Sequence, residues 1–318
     1  MAAPTNTFLT FSAVGNREDL LDKITNISPT DTPFTTMAES ATAKGVFHEW
    51  QTDALAAAAQ NAQLQGDDVT FAAVTPTVRA GNRTQISRKE VVVSGTQEAV
   101  DKAGRNSELV YQMGKKRDEL KRDKEFVLCS NQAPVTGNSS TAPQLRPLCG
   151  WFTTNVDRGS GGANGSTSAA ATDGTARALT LAMVTTAQQN AWTQGGKPTF
   201  LMCGPKQRGN LTTVMGGAAT KFYAVEDKKM TATIQAFEGD FGLVKIVTNR
   251  FVRGGQTGAD REIFLLDPSL WAVAHLQGRK MVTKDLARTG DSEKGMILSE
   301  YTLESRQEAG NAIVADLS

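Results

Sequence analysis

The chain has few of the side chains that perform most enzymatic chemistry. Its 318 residues include two His and three Cys. Cys129, Cys149 and Cys203 are odd in number and never form a C-x-x-C pair, which argues against a disulfide scaffold or a Cys-rich zinc site. His48 and His275 each stand alone in a strand-like segment. We therefore expect ordinary structural histidines, no metal site and no cofactor.

Neither sign of charge dominates, and long apolar runs are missing. The 34 basic and 33 acidic residues give a formal net charge of +1, which argues against a generic polybasic nucleic-acid binder. No segment approaches the roughly 18 apolar residues of a membrane span. Residues 1–10 lack a basic stretch followed by an apolar run, so no signal peptide is predicted. A soluble protein of a reducing compartment is expected.

Aromatic residues are also sparse, at 6% of the chain. Large aromatic side chains usually carry much of the burial in a core. Their scarcity fits either an ordinary domain with a thin core or segments that bury their surface against partner chains. Residues 1–45 show the same ambiguity: a short helical pattern at residues 17–27 and two prolines, Pro29 and Pro33, fit either a disordered tail or a segment laid across another surface.

Residues 46–95 look like two strand arms that are joined by a long polar tip. Residues 46–50 begin one arm, and residues 85–93 end the other with a β-branched run. The intervening tip is far longer than the 2–5 residues of an ordinary hairpin loop. A loop of this length is usually either functional or disordered, and this one is long enough to reach a neighbouring molecule.

Residues 96–130 predict one long helix, with Thr96 as its N-cap. The pairs Asp118–Arg122 and Lys121–Glu125 at i,i+4 spacing predict a solvated face. At 1.5 Å per residue this helix would be about 45 Å long. The basic run at residues 115–117 is interleaved with acids, so a solvated helix face is favoured there over nucleic-acid contact.

The remaining chain alternates between connections and regular elements. Residues 131–175 are rich in Pro, Gly and Ser and are interpreted as a linker or an exposed loop. Residues 180–266 predict an α+β subdomain, with Thr180 starting a helix and Pro205 starting a second one after a short strand. Further extended runs are predicted at residues 270–283, 295–306 and 312–317, with a charged loop at residues 284–294 joining the first two.

The common catalytic motifs are missing. The chain contains no G-x-S-x-G, no G-x-x-x-x-G-K-[ST], no H-E-x-x-H and no G-x-G-x-x-G after a strand. Cys203 is expected to be a buried structural thiol, and Asp67 with Asp68 is too small a set to define a cation site. An enzyme with an unrecognised site in residues 180–266 remains a rival hypothesis.

The order and spacing of several segments resemble the major capsid proteins of tailed bacteriophages with the Hong Kong 97 fold, and most of all the SU10-like family. The segments that carry this resemblance are residues 26–34, 66–68, 203–207, 240–242, 249–251, 260–268, 271–274, 289–294 and 300–304. The resemblance implies an α+β Hong Kong 97-type capsid fold with an N-terminal arm, an extended β-hairpin loop, a long spine helix, and peripheral and axial domains. It covers essentially the whole chain.

The same resemblance implies a domain layout. The expected units are an N-terminal arm (1–45), an extended loop (46–95), the spine helix with the start of the peripheral domain (96–176), an axial domain with a candidate loop at Gly216-Gly217 (177–268), a peripheral β-hairpin (269–310) and a C-terminal strand that returns to the axial domain (311–318). Residues 51–76 contain no Lys, so the lysine cross-linking of some relatives is not expected at the loop tip.

The function implied is structural and not enzymatic. The chain would form pentamers and hexamers of an icosahedral head in the virion, assembled in the host cytoplasm, with non-specific contact to double-stranded DNA and with portal, scaffolding or decoration proteins as partners. An encapsulin-like compartment is the alternative. The candidate inter-subunit residues are Trp50, Asp67, Asp68, Arg79, Arg83 and Arg88 on the extended loop and Arg279, Lys280, Lys284, Arg288, Asp291 and Glu293 on the peripheral hairpin.

Overall fold

The computed structural model describes residues 6–7, 10–12, 26–69, 71–215 and 236–318. The strands are β1 (Glu39–Ala43), β2 (Phe47–Thr52), β3 (Val78–Arg83), β4 (Gln85–Ser94), β5 (Val156–Asp157), β6 (Phe200–Cys203), β7 (Ala236–Gly239), β8 (Gly242–Thr248), β9 (Ile263–Leu266), β10 (Trp271–Leu276), β11 (Val282–Asp285), β12 (Ser292–Ser305) and β13 (Ala312–Val314). The helices are α1 (Pro33–Met37), α2 (Gly95–Ala99), α3 (Glu108–Leu128), α4 (Leu148–Trp151), α5 (Leu181–Thr193) and α6 (Pro205–Met215). Within these residues, no helix is both long and apolar enough to cross a membrane.

A five-stranded sheet is built around β12, the longest strand. On one side β12 pairs antiparallel with β10 and β11, and on the other side it pairs antiparallel with β4. Strand β1 extends the sheet by pairing parallel to β10. Helix α3 packs on one face, where Lys89 of β4 forms an ion pair of 2.6 Å with Asp123. The other face of this sheet carries no helix among the described residues.

A six-stranded mixed sheet forms the second layer, in the order β5-β13-β9-β6-β8-β7. Helices α5 and α6 cover one face, where Leu201, Val244 and Ile263 are buried with the apolar side of both helices. A larger core fills the space between the two sheets and is rich in rings. Its buried aromatic residues are Phe34, Trp151, Phe152, Phe264, Trp271 and Tyr301.

Strands β2 and β3 form a separate two-stranded hairpin, with Phe47 opposite Arg83 and Thr52 opposite Val78. We call residues 47–83 the projecting hairpin and residues 53–77 its tip. The prediction that residues 85–93 form the second arm is wrong, because these residues belong to β4 in the five-stranded sheet. The reason is burial: Val91 and Val93 alternate with exposed residues, and their apolar side needs the cover that α3 provides.

The single helix predicted for residues 96–130 is interrupted. Helix α2 begins after Ser94, not Thr96, and Gly104 then adopts a left-handed conformation at φ +74°. A new N-cap, Ser107, accepts a hydrogen bond from the Val110 amide at 3.2 Å. Helix α3 therefore has 21 residues and a length of about 31 Å rather than 45 Å.

Two other expectations also need correction. The predicted linker at residues 131–175 contains α4, and Leu145, Leu148 and Phe152 are fully buried there. The extended run predicted for residues 270–283 breaks into β10 and β11 at a turn where Gly278 and Met281 have positive φ angles of 72° and 49°.

The predictions for α5, α6, β6 and β8 are confirmed. The Thr180 side chain caps α5 by accepting a hydrogen bond from the Met183 amide, and β13 joins the six-stranded sheet. The strand predicted at residues 231–237 is described from Ala236 onwards. Most of the helical pattern at residues 17–27 and the candidate loop at Gly216-Gly217 lie outside the described residues.

Candidate assembly surfaces

The base of the projecting hairpin is fastened to the body of the subunit. The Trp50 indole donates a hydrogen bond of 2.7 Å to the carbonyl of Ser305, and its ring centroid lies 5.4 Å from that of Trp151. His48 Nε2 lies 3.1 Å from a carboxylate oxygen of Glu304. These contacts fix the direction in which the hairpin leaves the body, so Trp50 acts here within its own subunit.

The tip of the projecting hairpin carries apolar side chains without any cover. Leu55 is 99% exposed and Phe71 is 94% exposed, and Leu64, Val69 and Val74 are also mostly exposed. Its three charged residues, Asp53, Asp67 and Asp68, are all acidic. Several large apolar side chains exposed along one segment are typical of an interaction site. The tip is therefore an acidic and apolar surface that lacks a partner.

The open face of the five-stranded sheet, on the side away from α3, is a second exposed surface. On β4 it presents Ile86, Arg88, Glu90 and Val92, of which Val92 is 63% exposed. Lys294 of β12 lies opposite Val92, and Lys284 of β11 lies opposite Met296, which is itself opposite Glu90. Because paired residues share a face, both lysines border the apolar side chains. This face is apolar and basic.

The predicted contact residues on the projecting hairpin and β4 fall into two groups. Asp67 and Asp68 accept hydrogen bonds only from the next backbone amide, at 2.9 and 3.0 Å. In contrast, three arginines have partners inside the subunit. Arg79 lies 3.5 Å from Glu49, Arg83 lies over the Phe47 ring, and Arg88 forms an ion pair of 2.7 Å with Glu90.

The predicted contact residues near β11 and β12 are also mostly engaged within the subunit. The Arg279 side chain forms an ion pair of 2.6 Å with Glu300, and Lys280 donates a hydrogen bond of 3.1 Å to the Ser40 hydroxyl. Arg288 pairs with Glu293 at 2.5 Å. The Asp291 carbonyl accepts a hydrogen bond from the Gly95 amide at 3.1 Å. Among the described residues, Lys284 is the exposed cation of this group that has no side-chain hydrogen bond or ion pair.

Sequence reasoning missed Glu125, which holds the N-terminal segment (residues 26–43) against the body. Its carboxylate accepts hydrogen bonds from the Phe34 amide at 2.6 Å, the Thr35 amide at 2.9 Å, the Thr35 hydroxyl at 2.5 Å and the Asn249 side-chain amide at 2.8 Å. Burial raises the pKa of Glu125, although these hydrogen bonds act in the opposite direction. The predicted surface pair with Lys121 is wrong, since Lys121 pairs with Asp118 at 3.0 Å.

The position of Glu125 on α3 held a signal for this role. Glu125 is three residues from Leu128, which is about one turn along the same face of the helix, and Leu128 is fully buried. Glu125 therefore lies on the buried side of the helix, where an ionisable group needs hydrogen-bond partners.

The chemically reactive groups of the described residues are buried without a site around them. All three cysteines are buried, and burial raises the pKa of the Cys203 thiol to about 12, which makes it a poor nucleophile. His275 is also buried, and burial together with Lys124 and Lys280 lowers its pKa to about 4. In the described part of the chain, no three His, Cys, Asp or Glu residues are grouped to hold a metal ion.

The combination of two sheets, a spine-like helix and a long projecting hairpin is that of phage capsid subunits. The capsid of a native gene transfer agent (GTA) particle matches with a TM-score of 0.65 at 8% identity, over 97% of this chain and 98% of that chain. The capsid protein of cyanophage A-1(L) matches with a TM-score of 0.61 at 12% identity, over 97% and 98%. A Synechococcus elongatus PCC 7942 encapsulin is also similar, with a TM-score of 0.57 at 9% identity, over 95% and 92%. These similarities confirm the predicted Hong Kong 97-type fold.

The family follows from the sequence. The model of the SU10 major capsid protein family matches residues 3–318, and the chain belongs to this family. It is 40% identical over 134 residues to the major capsid protein of Escherichia phage Phieco32, an alignment that covers 42% of this chain and 38% of that protein. The chain is thus a major capsid protein of a phage and, as such, a structural component of the virion.

Proposed function

We propose that the chain is the principal subunit of the icosahedral head of a tailed phage, where it closes into pentamers and hexamers around double-stranded DNA. Rings of identical chains need two different surfaces on each subunit that fit one another. The uncovered tip of the projecting hairpin, which is apolar and purely acidic, is the observation that carries this proposal. Its proposed function is to bind the next subunit.

The partner surface that fits the tip is the open face of the five-stranded sheet in a neighbouring copy. Both surfaces are apolar, and their charges are opposite: Asp67 and Asp68 on the tip, Lys284 and Lys294 on the sheet. The tip has the reach for this contact, because each of its limbs is about 12 residues and extends up to ~40 Å. Among the residues that the structure describes, Asp67 and Asp68 have only local backbone partners, which leaves their charges available.

We also propose the domain layout inferred from the sequence, with β4 moved from the extended loop to the five-stranded sheet. Residues 1–45 would be the N-terminal arm and residues 46–84 the extended loop, whereas β4 would be part of the peripheral sheet. Helix α3 would be the spine helix of the peripheral domain, and the six-stranded sheet with α5 and α6 would be the axial domain near the centre of each ring. Strands β10 to β12 would complete the peripheral domain, and β13 returns to the axial sheet.

We further propose that the subunit acts without catalysis. Packaged DNA would be contacted weakly and without sequence preference, consistent with a net charge of +1. Portal, scaffolding and decoration proteins are the partners that such a head would require, and assembly would occur in the host cytoplasm. None of these roles needs a reactive side chain, and the thiols of this chain are buried.

The test is charge reversal followed by negative-stain electron microscopy. The purified protein, expressed with and without candidate scaffolding partners, should form shells or five- and six-fold rings. The double variant Asp67→Lys/Asp68→Lys should reduce the yield of shells while the circular dichroism of the subunit is unchanged. Adding Lys284→Glu/Lys294→Glu to the same chain should restore part of the yield. Normal yield from the first double variant would remove the tip acids from the interface.

An encapsulin-like compartment is a second candidate, since an encapsulin shares the fold. The two functions differ in what the shell encloses. Shells purified from phage-infected cells should contain nuclease-protected DNA if the chain is a head subunit. Shells that contain a protein cargo and no DNA would favour the compartment instead.

A further inference from the structure

An aromatic pair projects from the six-stranded sheet domain on the side of α5. Trp192 is 53% exposed, and its ring centroid lies 5.5 Å from that of Phe241 in the turn between β7 and β8. The buried side chain of Gln188 holds this turn in place, because its amide donates a hydrogen bond of 3.1 Å to the Gly242 carbonyl. We call Trp192 and Phe241 the aromatic knob. A rigid and exposed tryptophan is typical of the residues that dominate protein interfaces.

A groove lined by both apolar and polar side chains lies on the opposite face of the same sheet. Val244 and Ile246 of β8 face α5 and α6 in the helix-covered core, so the alternate residues Lys245 and Val247 face the other way. The groove there has a volume of about 630 Å³, between the N-terminal segment and the strands. The lining residues used in the argument are Pro33, Met37, Phe200, Lys245 and Val247.

We propose that the aromatic knob of one subunit inserts into the groove of a second copy of the chain; this inference rests on the proposed function and specifies one contact around each ring. The knob and the groove lie on opposite faces of one sheet, so they cannot meet within a single chain. A subunit in a closed ring has neighbours on two opposite sides and must offer a different surface to each. Two faces of one sheet meet this requirement.

The size of the groove and the position of Lys245 in its lining fit a second copy as the occupant. The volume of the groove lies in the range of ligand-binding sites in proteins, which is enough space for the two rings of the aromatic knob. Asp240 directly precedes Phe241 in the knob, whereas Lys245 lies in the groove. Asp31 also lines the groove, so its lining carries one charge of each sign. An aspartate beside the inserted ring would face Lys245, and the rings would face Phe200 and Val247.

The N-terminal segment becomes part of this contact. Pro33 and Met37 form one wall of the groove, and both belong to α1, which the Glu125 carboxylate holds through the amides of Phe34 and Thr35. The groove therefore exists only when the N-terminal segment is docked. Contact around the ring would depend on a hydrogen-bond network that lies wholly inside one subunit.

Site-directed cross-linking tests the contact. The double variant Trp192→Cys/Val247→Cys, assembled into shells and treated with a short bis-maleimide, should give a ladder on a denaturing gel that ends at five and six chains. The single variants Trp192→Cys and Val247→Cys are the controls and should give no ladder, because the three native thiols are buried. Shells that form normally but give no ladder would count against the knob-and-groove contact and would leave the proposed function intact.

Fluorescence of the unmodified chain provides a second measurement that does not depend on the cysteine variants. Trp151 and Trp271 are buried and Trp50 is half-buried, whereas Trp192 is exposed. Iodide should quench a component of the subunit fluorescence that is lost in Trp192→Phe, and this component should be protected at least about fivefold after assembly. Equal quenching in subunits and shells would overturn the inference. A chain that forms no rings or shells under any condition would refute the proposed function, and this inference with it.

Discussion

Removal of the Glu125 carboxylate should release the N-terminal segment from the body. In Glu125→Ala, the amides of Phe34 and Thr35, the Thr35 hydroxyl and the Asn249 side chain lose the acceptor that they share. No water can replace it easily, since Glu125 and Asn249 are fully buried. The chain between Pro33 and β1 then lacks its main polar attachment to α3.

The magnitude follows from the number of buried donors. Each buried donor left unpaired lowers the free energy of unfolding by about 1–3 kcal/mol. Part of this loss is offset, because the variant no longer has to bury a carboxylate away from water. The net loss of unfolding free energy should be about 3–5 kcal/mol. For a chain of this size each kcal/mol lowers the melting temperature by about 2 °C, so Glu125→Ala should melt about 6–10 °C lower. Glu125→Gln keeps one acceptor oxygen and should lose about half as much.

Thermal melting of unassembled subunits, followed by circular dichroism, measures this change. Limited proteolysis should show faster cleavage within residues 26–43 in Glu125→Ala. Glu119→Gln is the matched control on the same helix, because Glu119 forms only a partly exposed pair with Lys116 at 2.7 Å and should change stability by less than about 1 kcal/mol. A melting shift below about 2 °C in Glu125→Ala, with unchanged proteolysis, would refute the reasoning.

Two further changes have defined expectations. Burial, Lys124 and Lys280 lower the pKa of His275 to about 4 in the folded chain. Between pH 6.5 and 4 the folded chain therefore binds fewer protons than the unfolded chain, and its stability falls as the pH falls through that window. From pH 7 to 5 the loss of unfolding free energy amounts to about 2 kcal/mol. Urea unfolding should show that His275→Gln lacks this part of the loss. An identical loss in the variant and the unmodified protein would contradict the prediction. A Cβ on Gly196 would clash with the backbone of Gly310, so Gly196→Ala should lower the free energy of unfolding by at least about 1–3 kcal/mol. In α6 a Cβ on Gly209 meets nothing within 4 Å, so Gly209→Ala should raise the free energy of unfolding by up to about 1 kcal/mol. Equal melting temperatures for the two alanine variants would show that the close approach at Gly196 is unimportant.

Elements with local signals were predictable from the sequence. Helix α5 begins after Thr180, whose side chain caps it, and it ends before Gly195, which adopts a left-handed φ of +88°. Helix α6 begins at Pro205, in agreement with the preference for proline in the first turn. Each of these boundaries depends on residues within one turn of the helix, so sequence spacing alone contains the information.

Elements that depend on distant partners were not predictable in the same way. The run Val91-Val92-Val93 identifies a strand, but its partner is β12, about 200 residues later. The break between α2 and α3 depends on the Glu98 carboxylate, which accepts hydrogen bonds from the amides of Glu108 at 2.9 Å and Leu109 at 3.4 Å. A carboxylate that folds back in this way leaves no periodic pattern in the sequence.

The candidate contact surfaces were predicted only in part. The acids of the tip could be picked out from the sequence as charges, and among the described residues they have only local backbone partners. The arginines could not be assigned, since Arg79, Arg88, Arg279 and Arg288 have carboxylates within reach in their own subunit. Strand register decides which charged side chains have a partner in their own subunit. The register of β4, β11 and β12 is set only when the sheet folds.

The pairing of β1 with β10 also sets the order in which the subunit can fold on the ribosome. Glu39 lies opposite Ala272, and Ala43 lies opposite Leu276, so the two strands are about 230 residues apart in a sheet dominated by non-local contacts. Strand β4 likewise waits for β12. At a synthesis rate of about 5–20 residues per second, the first half of the chain is exposed for at least ten seconds or so before its partners emerge. The five-stranded sheet therefore forms only after β12 has emerged, and shorter nascent chains cannot present the open face of the sheet to one another on a polysome.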